Sequence, residues 1–187
     1  EIFLPNGKPP GVGDVFVQTD LANTFQYLVD EEKSAGSNRE TGLKAARDAF
    51  YKGDIAEKIV TFHKENGGWL TAEDLEEFSV EIEPATRVSF QGFDVYGCGP
   101  WCQGPVLLET LSILDGMNVG DLGHNSADYV HVLVEALKLA FADRHAYVGD
   151  PRFVDVPMDA LLSKDYGALR RAAIDMAKAE PGMPAAG

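Results

Sequence analysis

Asn125–Tyr166, NSADYVHVLVEALKLAFADRHAYVGDPRFVDVPMDALLSKDY, decides how this chain reads. From about Ser126 to Val148 apolar residues recur at helical spacing. Val130, Leu133, Val134, Leu137, Phe141 and Val148 share one face, and Ala136, Leu139, Ala140 and Ala142 fill much of the remainder. A helix this apolar packs on more than one side. Gly149-Asp150-Pro151 then stops it, since proline cannot continue a helical ladder, and a short second helix follows.

Outward from that stretch, the spacing predicts a last, weakly amphipathic helix over 164–178. The tail Glu180-Pro-Gly-Met-Pro-Ala-Ala-Gly187 reads as a disordered linker. Upstream lie a helix from Val106 to Leu114 and a Gly- and Pro-rich loop, Gly97-Cys98-Gly99-Pro100-Trp101-Cys102-Gln103-Gly104-Pro105. Before the loop the period shifts to two. Val80–Glu83 and Arg87–Phe90 alternate, Gln91-Gly92 turns the chain, and Phe93–Tyr96 returns it as a β-hairpin, with Pro84 confining the first segment to an edge or an irregular start. Helices are expected from Thr19 or Asp20 to about Glu32 (Leu21, Phe25, Leu28 and Val29 inward), over Arg39–Tyr51 (Leu43, Ala46, Ala49 and Phe50 inward) and over Ile55–Glu65. A fourth runs from a capping box at Thr71–Asp74 to about Phe78. The fold class is mostly α with one β-hairpin (α+β), read as a single helical region over 1–179 with a tail over 180–187.

The chain has 187 residues, 45% of them hydrophobic, and a formal net charge of −14. An acidic surface of that size argues against nucleic acid and anionic lipid as partners. No run reaches the roughly 18 apolar residues that a membrane helix needs. Two cysteines are too few for a disulfide-dependent scaffold. The chain opens Glu1-Ile2-Phe3-Leu4 without a methionine, and reads as a piece of a longer polypeptide.

Few side chains suggest chemistry. Three residues rather than two lie between Cys98 and Cys102, so they either fill a tight loop or form a redox pair outside the C-x-x-C pattern. Asp128, His131 and Glu135 fall on one helix face but match no metal-binding signature, so neither metal nor cofactor is expected. Arg144, beside Asp143 and near Glu135 and Asp150, reads as an internal clamp whose planar fork ties carboxylates together. Pro100, Trp101, Cys102, Gln103 and Gly104, on irregular backbone between strand and helix, are candidates for the border of a substrate pocket.

Several motifs together carry a family resemblance. They are Gly13–Thr24 (GDVFVQTDLANT), Ala49–Ala56 (AFYKGDIA), Asn66-Gly67-Gly68 with Leu70-Thr71 and Asp74-Leu75, and Glu135-Ala136, Lys138, Ala142-Asp143-Arg144, Tyr147 and Gly149-Asp150-Pro151. As a set they resemble the large subunit of γ-glutamyltranspeptidases. The resemblance implies the C-terminal part of that subunit, within the α-β-β-α sandwich of N-terminal-nucleophile hydrolases. It implies a proenzyme that cleaves itself before a threonine, which then attacks a γ-glutamyl amide with its own α-amino group as base. That threonine opens a Thr-Thr-His-type sequence, and the arginine that grips the donor carboxylate belongs upstream of Glu1. Neither is present here, so no catalytic residue transfers to this chain. The implied partners are the rest of the proenzyme and a small γ-glutamyl substrate, glutathione being the usual donor. Family members are often periplasmic or extracellular, and a cytoplasmic location stays open. Where many members carry Pro-Pro-Ser-Ser-Gly-Gly, this chain has Gly99-Pro100-Trp101-Cys102-Gln103-Gly104, so another γ-glutamyl or amide substrate is open. The alternative to an enzyme fragment is a helical binding or scaffold module.

Overall fold

The computed structural model describes residues 2–187. These form two compact units, the first ending at Glu81 and the second running from Ile82 to Gly187. The expected single region over 1–179 is therefore corrected to two. The segment that separates them, Val80–Glu83, forms no strand despite its alternation. Among the described residues the sheet has two strands, and this segment is neither of them.

The first unit holds four helices: α1 (Thr19–Ser34), α2 (Arg39–Tyr51), α3 (Asp54–Glu65) and α4 (Ala72–Glu77). Asn38 caps α2, its Oδ1 accepting the Thr41 N–H at 3.0 Å. Thr71 and Asp74 exchange side-chain and backbone bonds as the capping box that opens α4. Packing here is thin. Ala49, Ala56 and Leu75 are its buried apolar residues. The α1 residues expected inward, Leu21, Phe25 and Val29, are exposed, as is Leu43 on α2. Helical period identifies an apolar stripe but not whether this chain supplies its cover.

The second unit is built around α5 (Gly104–Leu114), in which Leu108, Glu109 and Ile113 are fully buried. Strands β1 (Thr86–Phe90) and β2 (Phe93–Gly97) form the antiparallel hairpin, with Val88 opposite Val95. Its two-residue turn places Gln91 at φ 48° and Gly92 at φ 84°, the twist that suits a tight hairpin. The Gln91 N–H is anchored on Asp115 Oδ1 at 2.7 Å. Against α5 pack α6 (Ala127–Tyr147) and α8 (Lys164–Arg171), with α7 (Met158–Leu161) between them in sequence. Ile113, Leu114, Val132, Ala136 and Leu139 form the core, each larger side chain contributing about 1.5–3 kcal/mol. At Gly167 α8 comes so close to α5 that a Cβ would sit 2.7 Å from Ser112 O.

Three expectations are corrected here. The buried face of α6 is Val132, Glu135, Ala136, Leu139, Ala140, Ala142 and Asp143, whereas Val130, Val134 and Phe141 are partly to largely exposed. Small residues win the inward position because they allow close helix approach. Helix α8 ends at Arg171 instead of reaching 178. The tail is no free linker: Glu180–Gly187 lies as a strap hydrogen-bonded to Glu135, Lys138, Asp143, Tyr147 and Arg170. A composition of Pro, Gly and Ala disfavours helix and strand, but side chains of α6 and α8 satisfy its backbone instead.

Candidate functional site

Two places gather the residues the sequence singled out. The first is the loop between β2 and α5. Its ends are fixed by close packing, because a Cβ on Gly104 would sit 2.0 Å from the carbonyl oxygen of Cys98. Only glycine lets the start of α5 fold against the end of the hairpin. Pro105 occupies the first turn of α5, where its missing N–H costs nothing. Within the loop, the Cys102 N–H donates to Gly99 O at 3.3 Å and closes a reverse turn over Pro100 and Trp101. The Trp101 indole N–H donates to a Glu83 carboxylate oxygen. Trp101 is exposed, Pro100 and Cys102 are half-buried, and Gln103 precedes α5 with no capping bond from its side chain. The loop thus presents an aromatic face and an exposed polar rim.

The second place is a buried polar cluster between α5, α6 and α8. Asp143 is wholly buried, and its Oδ2 pairs with Arg170 Nε at 2.9 Å. The Arg170 guanidinium also donates to Leu139 O and Ala185 O, each at 3.1 Å. Glu109 enters from α5, 1% exposed. Burial, then its hydrogen bond to Asp143 and the Asp143 charge, push the Glu109 carboxyl up to about 9, so it holds its proton at neutral pH. Burial and then Asp143 also push the Tyr166 phenol up. The remaining Asp143 oxygen accepts the Gly187 N–H at 2.8 Å, while Tyr147 OH donates to Gly187 O at 2.8 Å.

The expected clamp is therefore reassigned. Arg144 makes no ion pair among the described residues and lies over the Phe141 ring, 5.9 Å from its centroid. Adjacent helical positions point about 100° apart, so Arg144 does not follow Asp143 inward. Arg170 is the clamp. Glu135 belongs to the strap: it accepts Lys138 Nζ at 2.8 Å and the Glu180 N–H at 3.2 Å. Burial pushes the Glu135 carboxyl up, but these two donors outweigh it and hold it below its ordinary value. Asp150 is separate again, bound by the Arg152 side chain and lowered by it. Arg170, Glu109 and Tyr166 were not singled out in the sequence. The available signal was the spacing of Glu135, Leu139 and Asp143, four residues apart, which sets two acids on the alanine face and so calls for a cation from another helix.

His131 Nε2 lies 2.8 Å from Asp175 O, and Glu135 is bound as above. Among the described residues, no three His, Cys, Asp or Glu side chains are placed to hold a metal ion. No helix among them is long and apolar enough to cross a membrane.

The Gamma-glutamyltranspeptidase family model matches residues 1–186. The chain belongs to the γ-glutamyltranspeptidase family. It is 36% identical to a glutathione hydrolase proenzyme of Pseudomonas sp. (strain A14) over 98% of its own length and 31% of that protein. It thus spans about three-tenths of the curated relatives it matches. The chain superposes on part of solved relatives. Helicobacter pylori γ-glutamyltranspeptidase superposes with a TM-score of 0.75 at 29% identity, covering 97% of this chain and 50% of that one. A cephalosporin acylase from Bacillus halodurans superposes at 0.74 with 32% identity, covering 93% and 30%. The motif set that carried the resemblance in the sequence falls in both units, on α1, α2 and α4 and again on α6.

Proposed function

We propose that these 187 residues are the C-terminal part of the large subunit of a γ-glutamyltransferase-like amidohydrolase of the α-β-β-α N-terminal-nucleophile type. The reaction is transfer or hydrolysis of a γ-glutamyl group by a threonine that lies outside this chain. The carrying observation is the match to a proenzyme of glutathione hydrolysis along nearly the whole chain, but over only 31% of that relative. Exposed apolar stripes support the same reading. Phe25 on α1, Val130 and Val134 on α6, and the strand-patterned Val80 and Ile82 all lack cover within their own unit. In this reading the rest of the proenzyme supplies that cover, and the residues here act as the buttress of the reaction centre. Pro100, Trp101, Cys102, Gln103 and Gly104 border the substrate cleft, with Trp101 a flat apolar wall and Gln103 a polar rim.

The test compares two proteins on γ-glutamyl-p-nitroanilide. The 187-residue chain alone releases no p-nitroaniline, and a polypeptide that adds the flanking family segments cleaves itself and turns the substrate over. Turnover by the chain alone ends the proposal.

A second reading differs in substrate. The Bacillus halodurans neighbour is named a cephalosporin acylase, and this chain carries Trp101 and Gln103 where small residues are usual in the γ-glutamyl enzymes. An amide with a longer or bulkier acyl group then replaces the γ-glutamyl donor. Comparing kcat/KM for γ-glutamyl and glutaryl anilides in the self-cleaved protein separates the two readings.

A further inference from the structure

The chain has two cysteines, Cys98 and Cys102, and both are free thiols. Cys98 is exposed and Cys102 half-buried. They bracket the reverse turn that the Cys102 N–H closes on Gly99 O. The ends of their loop cannot drift apart, because β2 ends at Gly97, α5 begins at Gly104, and Gly104 packs directly on the Cys98 backbone. The two thiols consequently sit on one tight turn, Cys98 just before it and Cys102 at its close. Such an arrangement is stronger than the sequence spacing alone suggested.

We propose that Cys98 and Cys102 are a dithiol site that closes reversibly to an intramolecular disulfide by exchange with a low-molecular-weight disulfide. The steps balance without another reactant. The exposed Cys98 sulfur, as thiolate, attacks one sulfur of the small disulfide. A Cys98–S bond forms, the small S–S bond breaks, and the departing thiolate takes up the proton that Cys98 released. Cys102, as thiolate, then attacks the Cys98 sulfur. The Cys98–Cys102 bond forms, and the second small thiolate leaves and takes up the Cys102 proton. Two protein thiols are oxidised and one small disulfide is reduced to two small thiols.

The hydrogen bond to Cys102 first, with the Cys102 charge, burial and the Glu83 charge after it, holds the Cys98 thiol above its ordinary value. Exchange therefore quickens as pH rises. Closure would tie the residue after β2 to the residue before Gln103, enclosing Gly99, Pro100 and Trp101 in a covalent ring. The loop, and the indole it presents to Glu83, would lose their freedom to rearrange. This assignment stands on the loop geometry and does not depend on the γ-glutamyl reading.

The test treats the reduced chain with glutathione disulfide, blocks remaining thiols with N-ethylmaleimide and reads the intact mass. The expected product is lighter by two hydrogens, carries no maleimide and no glutathione, and returns to the dithiol with dithiothreitol. Cys98→Ser and Cys102→Ser should each stop at one lasting glutathione adduct. Native chain should favour the ring over the adduct about tenfold more than chain unfolded in urea, since folding raises the effective concentration of the second thiol. In a Trp69→Phe background the fluorescence of Trp101 should fall on oxidation. Wild-type protein that ends with a glutathione on each cysteine overturns the proposal. So does a ring-to-adduct ratio equal in the native and urea-unfolded chain, which would leave the folded loop with no part in the closure.

Discussion

Replacing Glu109 with Gln should leave the fold intact and remove a pH dependence. Glu109 is 1% exposed on α5 and faces Asp143, and its carboxyl is pushed up to about 9 from 4.5. Between those two values the folded chain holds a proton that the unfolded chain has released. Unfolding therefore loses one proton, and stability must fall with rising pH, by about 1.4 kcal/mol per pH unit. The stabilisation linked to this carboxyl is whole below 4.5 and is lost as pH climbs through about 9. Gln has nearly the same shape, remains neutral, and can still donate to Asp143, so the variant should lack this slope. From about pH 6 to about pH 8 the wild type should lose about 3 kcal/mol more than Glu109→Gln. Urea unfolding at a series of pH values, followed by Trp101 fluorescence in a Trp69→Phe background, reads the second unit alone. Parallel stability–pH curves for the two proteins would refute a protonated Glu109 and with it the account of the cluster.

Other outcomes follow from the same geometry. Arg170→Met strands the buried Asp143 charge and should cost about 3–5 kcal/mol in urea unfolding, whereas Arg144→Met should change stability by no more than about 0.5 kcal/mol. Equal effects would restore Arg144 as the clamp. Gly104→Ala drives a methyl into the Cys98 backbone and should destabilise the second unit by about 1–3 kcal/mol, with the loss of helical circular dichroism at α5 as a second readout. Thr71→Ala removes the capping box of α4 and should cost the first unit about 1 kcal/mol, seen through Trp69, while Trp101 reports no change.

Much of the local structure was legible because its causes are local. Helix α2 spans Arg39–Tyr51 as its spacing required, and the Thr71–Asp74 box opens α4. The Gln91-Gly92 turn sets the hairpin where period two predicted it, and Gly149-Asp150-Pro151 ends the long helix. Each depends on backbone preferences or caps within a few residues. The family was legible for a related reason: its motifs sit at helix starts, turns and close-packed positions, where few residue types fit.

Which apolar stripe turns inward could not be read this way. Helix α6 offers two apolar faces, and the alanine face with Glu135 and Asp143 is buried because α5 can approach it closely. Hydrophobicity alone ranks Val130, Val134 and Phe141 ahead of a face carrying two acids. The acids are tolerable only because Arg170, Lys138 and backbone N–H groups reach them from distant sequence. The same distance hid the strap, whose Pro- and Gly-rich composition predicts no regular structure and says nothing of side chains waiting to bind its backbone. It also hid how tightly Gly104 seats against Cys98, which fixes the ends of the loop that carries both cysteines. The sequence by itself determined most of the elements and the family. Tertiary structure alone decided which charges are buried, with what partners, and therefore which protons they hold, because those free energies depend on desolvation and on contacts between residues far apart in the chain.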